Sequence, residues 1–229
     1  MPGMDDGCKT PEEALQVLQS SYQQGIRRVF ATPHYYPGEP VEEFIKRRME
    51  SVGQLDAIIK SQPGTPVPQI CLGAEVAFRP GLAYEPNIEA LCLGKSRYLL
   101  LEMPFSRWGK AEEREVRNLC VTGGVVPVIA HIERYLEFQD RSTLESILGQ
   151  DVLIQMNAEY LLHLYTRRDA RRLLQNGMVQ LLGTDCHNTH DRAPNLGKAL
   201  EFMEKKGMTD ALQRIGHFSD EIFSEAMGE

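Results

Sequence analysis

Six short apolar runs, rich in valine, isoleucine and leucine, alternate with helical stretches along this chain. They cover residues 29–34, 69–78, 98–103, 125–131, 152–157 and 179–185. Near-continuous apolar strands separated by helices are the pattern of a parallel sheet buried on both faces, so the expected fold class is α/β. The helical stretches fall at 11–24, after Pro40, and at 110–120, 142–148, 168–175 and 196–205, with two more short helices expected to close the chain. The first is opened by Thr10 as N-cap, Pro11 at N1 and Glu13 at N3, a capping box with proline in its favoured place, and Gly25 ends it. The segment SQPGTPVP, 61–68, reads as a loop. No linker divides the chain and no repeat occurs, so one domain over 1–229 is expected.

Composition narrows the function classes. Hydrophobic residues make up 42% and charged residues 25%, which excludes wholesale disorder. A formal charge of −7 argues against non-specific binding to nucleic acid or an anionic membrane. The longest apolar run, Val125–Ala130, is far short of the ~18 residues of a membrane span. The acidic start MPGMDDGCK has no secretory h-region. Five scattered cysteines with no C-x-x-C motif fit a reduced, cytoplasmic chain.

Five of the strands deliver a titratable residue at or near their C-terminal ends: His34, Glu75, Glu102, His131, and Asp185 followed by His187. In a parallel barrel that edge is where active sites are built. Glu75 and Glu102 lie in strongly apolar surroundings, and a buried carboxylate must be paired, protonated or bound to a metal. Three histidines and three carboxylates on one rim form a donor set for Zn, Mn or Fe and for water activation. Any one of these residues is more often a hydrogen-bonding or salt-bridging group; the same habit in five strands favours a cluster. Arg134 and Arg192 follow His131 and His187, and their planar forks suit phosphate; the alternative is a salt bridge to Glu133 or Asp191.

A rival signal is the C-x5-R spacing of Cys186 and Arg192, the mark of thiolate phosphatases. Its loop, His-Asn-Thr-His-Asp, has no glycine to wrap a phosphate, and Asp191 would repel one. Cys186 therefore reads as a packing residue. The basic run Arg167–Arg172 reads as a solvated helix start rather than a docking surface. The 17 aromatics are too dispersed for base stacking, and His163, His190 and His217 match no strand end.

The motifs M-D-D-G, T-P-H, G-A-E, L-E-M, H-I-E-R-Y and T-D-C-H-N, in this order and spacing, resemble the CpsB/YwqE/CapC group of bacterial tyrosine phosphatases, in the polymerase-and-histidinol-phosphatase (PHP) superfamily. The resemblance covers nearly the whole chain. It implies a distorted (β/α)7 TIM-like barrel, a cluster of two to three metal ions, manganese first with iron or zinc as alternatives, and dephosphorylation of a tyrosine autokinase that controls capsule or exopolysaccharide synthesis. By motif position Asp6, His34 and His187 look like the ligands of one metal, with Asp185 helping to hold it. Glu75 resembles the bridging carboxylate, Glu102 and His131 its neighbours, and Arg134 and Arg192 the phosphate-gripping pair. The chain has Arg192–Ala193–Pro194 where the family often has Arg-Pro-Pro. It also shows no D-x-H-x-H strand ahead of Asp5–Asp6, so a barrel without its first strand, and fewer than three ions, are expected. Two other readings stand beside this one: a PHP enzyme for a small ester such as histidinol phosphate, and an inactive phosphotyrosine-binding protein.

Overall fold

The computed structural model describes residues 1–228. Helix α1 (Pro11–Gln23) starts as its sequence requires: Thr10 Oγ1 accepts the amide of Glu13 at 3.2 Å. The Glu13 carboxylate turns back to the Lys9 amide at 2.8 Å, one residue beyond the usual partner in a capping box. Gly25, at φ 86°, carries the chain out of the helix.

The run at 29–34 forms two pieces, β1 (Arg28–Ala31) and β2 (His34–Tyr35), and the run at 69–78 forms β3 (Gln69–Leu72) and β4 (Glu75–Ala77). β1 pairs with β3 and β2 with β4, both parallel, and the register is the same on either side of the break: Ala31 faces Leu72 and His34 faces Glu75. The break falls at Pro33, which has no N–H to offer the ladder, and at Gly73, where a Cβ would stand 2.7 Å from Leu93 Cδ2. Helix α2 (Val41–Ser61) answers this kink. Its buried Arg48 donates to the carbonyl of Gly73 at 2.7 Å and to that of Ala90 at 3.2 Å.

Four further strands follow, β5 (Tyr98–Glu102), β6 (Val126–Ile129), β7 (Leu153–Asn157) and β8 (Leu181–Gly183), with helices α3 (Lys110–Val121), α4 (Arg141–Leu148), α5 (Ala158–Leu162) and α6 (Arg167–Gln175) between them. All pairings are parallel, in the order β2-β4-β5-β6-β7-β8, and the sheet curls into a half-barrel of the TIM-like kind expected. Its outer face, with Val76, Leu99, Leu101, Ile129 and Met156, packs under the helices in the main core. The inner face, with Tyr98, Val126 and Val128, forms a smaller core closed by Leu93 and Ile222. Among the described residues β1 and β8 each have one strand partner, so the curl stays open between them. A cavity of about 760 Å³ lies there, lined by residues of β1 and β8 and reaching Leu100 and Val128.

The chain closes with α7 (Leu196–Lys205) and α8 (Thr209–Met227). The expectation of two short closing helices is corrected: one 19-residue helix takes their place. Its buried stripe, Ala211, Ile215, Ile222, Phe223 and Ala226, is continuous across Gly216, so burial outweighs that residue's weak helix propensity. α8 is tied to the sheet at Gly94, whose neighbour Lys95 donates its amide to Ala226 O at 2.8 Å.

Gly94 has φ 61°, and a Cβ there would fall on Ala226 O and lie 2.6 Å from Cys71 Sγ. Gly94→Ala is expected to cost about 2–4 kcal/mol in urea unfolding, combining left-handed strain with overpacking. Gly64→Ala, at φ 85° in open space, serves as the control and should cost only about 1–2 kcal/mol. Equal losses in the two variants would show that the α8 contact is not tight.

Candidate metal and phosphate site

A parallel sheet puts every strand's C-terminal end on one rim, and the kinked strands lift their polar residues to it. Cross-strand register does the rest: His34 faces Glu75, and Ala77 faces Glu102 on the next strand. Asp6 comes from the irregular segment ahead of α1. The N-terminal segment is pinned by Asp5, whose carboxylate accepts the amides of His34 and Gly7, both at 2.9 Å.

Two groups of potential metal donors result. Asp6, His34 and His187 form one, and His34, Glu75 and Glu102 the other, with donor atoms in each group within 4.8 Å of one another. His187 Nε2 lies 3.2 Å and His34 Nε2 3.6 Å from Asp6 Oδ1. His131 extends the second group, its Nε2 lying 2.9 Å from Glu75 Oε1 and 3.6 Å from Glu102 Oε1. Six of the seven expected ligands thus form one continuous row with His34 at its centre.

The electrostatics of that row call for a cation. Burial, and then the neighbouring charge of Glu75, push the Glu102 carboxyl above its ordinary value. His131 is 2% exposed, and its buried Nδ1 has no hydrogen-bond partner. A buried carboxylate beside a second, partly buried one is a costly arrangement for protein atoms alone, and imidazole–carboxylate sets suit Mn, Fe or Zn. The residues present therefore fit a metal.

Asp185 stands differently. It belongs to neither group, although its Oδ1 is 3.6 Å from His187 Nδ1. Its Oδ2 pairs with Arg134, and with Arg192 Nη2 at 2.6 Å. Burial raises the Asp185 carboxyl, but the guanidiniums of Arg134 and Arg192 outweigh it and hold the group below the usual carboxylate range. The arginines thus pair with Asp185, and Arg192 also with Asp6 at 3.3 Å, rather than with Glu133 or Asp191. Their side chains remain 37% and 35% exposed, and they line a small polar pocket of about 60 Å³ together with Asn157, Thr184, Asn195 and the acidic residues Glu159, Asp185 and Asp191.

Two residues that the strand-end pattern misses connect these corners. Gln155 Oε1 accepts the His131 amide at 2.5 Å, Gln155 Nε2 donates to Asn157 Oδ1 at 2.9 Å, and Asn157 Nδ2 donates to Asp185 Oδ2 at 3.3 Å. The signal was present in β7 as two amides at i and i+2 in a run that is otherwise apolar. His131 at φ 35° and Asp185 at φ 49° mark the ends of this relay, two of the three non-glycine residues with positive φ among those described.

The thiolate alternative loses its footing. Burial pushes the Cys186 thiol up, and its neighbours are Cys8, Ala14, Val17 and Leu55. The His187 amide is spent on the Arg192 carbonyl at 2.9 Å instead of facing an anion. His163, His190 and His217 are exposed, and none belongs to either donor group. In the basic run, Arg167 donates to the carbonyls of Leu161 and Leu162 and lies over Phe202, while Arg168 and Arg172 are exposed.

Residues 1–221 match the family model described as "Capsular polysaccharide synthesis, CpsB/CapC". The tyrosine-protein phosphatase CpsB of Streptococcus pneumoniae is 30% identical over 216 residues, covering 89% of this chain and 86% of that protein. The tyrosine-protein phosphatase YwqE of Bacillus subtilis is 27% identical, over 90% of this chain and 82% of its own length. In fold, the chain matches a structure from work on YwqE of B. subtilis and CpsB of S. pneumoniae, described as unique metal-dependent tyrosine phosphatases. The TM-score is 0.81 at 22% identity, over all of this chain and 92% of that one.

The Gln155 relay can be tested through Gly183, where a Cβ would fall on Gln155 Nε2. Gly183→Ala is expected to weaken Mn²⁺ binding about 10–100-fold in calorimetric titration, the usual effect of disturbing the groups that support ligands. Unchanged Mn²⁺ affinity in a folded variant would show that the relay does not place His131.

Proposed function

Because the chain belongs to the CpsB/CapC family of capsular polysaccharide synthesis proteins, we propose that it is a metal-dependent protein-tyrosine phosphatase. The observation that carries this reading is the row of imidazoles and carboxylates ending beside a pocket with two arginines. Asp6, His34 and His187, with Asp185 next to them, would hold one ion; Glu75, Glu102 and His131, sharing His34, would hold a second. Manganese is the first candidate, with iron or zinc as alternatives. Ions at these positions supply Lewis acidity at the phosphate and lower the pKa of water.

The chain's own residues bind and orient. Arg134 and Arg192 grip the non-bridging phosphate oxygens, and charge building on those oxygens in the transition state strengthens the contact. Asp185 keeps both guanidiniums in place before substrate arrives. The leaving phenolate, with a pKa of about 10, needs only modest acid assistance.

The substrate is a tyrosine-phosphorylated protein, with the tail of a bacterial tyrosine autokinase in capsule or exopolysaccharide synthesis as the favoured partner. A cytoplasmic site of action agrees with five free cysteines. No described helix is long and apolar enough to cross a membrane.

A phosphotyrosine peptide should be hydrolysed, with activity abolished by chelators and restored by Mn²⁺. Cys186→Ser should keep activity within about tenfold. Insensitivity to chelation, together with loss of turnover in Cys186→Ser, would overturn the metal mechanism. Faster turnover of histidinol phosphate would move the substrate to a small ester, and peptide binding without turnover in Mn²⁺ would leave a binding protein.

Arg134→Ala and Arg192→Ala should each lower kcat/KM about 10²–10³-fold, with poor rescue by lysine. Metal content by elemental analysis should not change. Loss of metal in either variant would give these arginines a structural role instead.

A further inference from the structure

Exposed aromatic surface beside a binding site is surface that a ligand can cover. Tyr36 is 49% and Phe105 51% exposed. Tyr36 follows β2 and Phe105 follows β5, so both stand on the rim that carries the donor row. The Tyr36 ring stacks on His34, with centroids 5.4 Å apart and planes 28° apart. The Phe105 ring stacks on His131 at 6.0 Å and 13°. Each ring therefore rests on an imidazole, and those two imidazoles bracket the Glu75–Glu102 pair.

Phe105 is backed by buried aromatic rings, and Tyr36 follows a buried neighbour. Phe105 leans on Tyr135 at 5.3 Å, and Tyr135 on Trp108 at 5.0 Å. Tyr135 is fully buried, with its hydroxyl accepting the Met103 amide at 3.0 Å. Tyr36 is set by Tyr35, which alternates to the opposite side of the strand and packs edge-on against Phe44 at 5.3 Å. A rigid aromatic surface loses little entropy when a ligand covers it.

We propose that Tyr36 and Phe105 form an aryl-recognition wall that makes the site prefer aromatic phosphate monoesters to alkyl ones. The inference rests on the phosphatase reading and specifies it. With phosphate between Arg134 and Arg192, the ring of a phosphotyrosine reaches the rim, where aromatic pairs prefer centroid separations of about 4.5–7 Å. A phosphoserine or phosphothreonine carries no ring to cover these residues and brings its peptide backbone against them instead.

Non-hydrolysable ligands separate this preference from leaving-group reactivity. Benzylphosphonate and propylphosphonate would be titrated into the Mn²⁺-loaded protein by calorimetry, beside turnover of phenyl phosphate. The parent protein should bind the benzyl compound more tightly, and Tyr36→Leu and Phe105→Leu should each shrink that ratio about threefold to tenfold. Tyr36→Phe and Phe105→Tyr keep the ring and should keep the ratio; melting curves confirm that each variant is folded. A ratio unchanged in both leucine variants overturns the aryl wall alone, phenyl phosphate still being hydrolysed. A parent protein that binds neither phosphonate overturns the phosphatase reading and the wall together.

Discussion

Glu75 and Glu102 are carboxylates brought side by side at a sheet rim where water is scarce, and the rest of the site depends on how their charge is met. Parallel register makes their proximity unavoidable: His34 is paired with Glu75, and Glu102 lies on the adjoining strand, one pleat further along. The loss of hydration costs several kcal/mol per buried ion unless a partner compensates. Here the protein supplies the imidazoles of His34 and His131, and the charge of Arg134 acts on Glu102. A divalent cation beside these carboxylates would settle the repulsion. A few ångströms along the rim the same problem is solved with protein atoms, where Asp185 is gripped by Arg134 and Arg192.

These two solutions explain the irregular backbone around them. The break at Thr32–Pro33 and Gly73–Ala74 preserves register while bending two strands together, and buried Arg48 takes up the carbonyl of Gly73. His131 and Asp185 hold positive φ at the ends of β6 and β8, with the Gln155–Asn157 relay between them. Strain of this kind persists only where the surroundings over-determine it. Of the row's donors, His34, Glu75 and Glu102 sit on strands, and Asp6, His131 and His187 on irregular segments beside helix or strand ends.

Much of this was legible in the chain itself. The six apolar runs appear as six strand positions, and the residues at their ends lie on one rim, because alternation and apolar content act locally and act on nearly every residue. What was not legible involves partners far apart in sequence. The breaks within 29–34 and 69–78 are invisible until each strand is laid against the other. Gln155 and Asn157 carry no charge to betray them in an apolar run, and acquire meaning only when His131 and Asp185 stand at either side. The closing segment reads as two short helices, whereas packing against the sheet makes it one.

By itself, the sequence determined the α/β class, the chemistry of the strand ends and the poor prospects of Cys186 as a nucleophile, since its loop has no glycine for the close turn an anion requires. Only the tertiary structure decided which donors share a position, that Asp185 pairs with both arginines rather than joining either donor group, and that Tyr36 and Phe105 come to rest on His34 and His131. The reason is physical: residue type and hydrophobic period are properties of a few neighbouring positions. Pairing of charges is set by strand register and curl, which fix distances of a few ångströms between residues as far apart as Asp6 and His187.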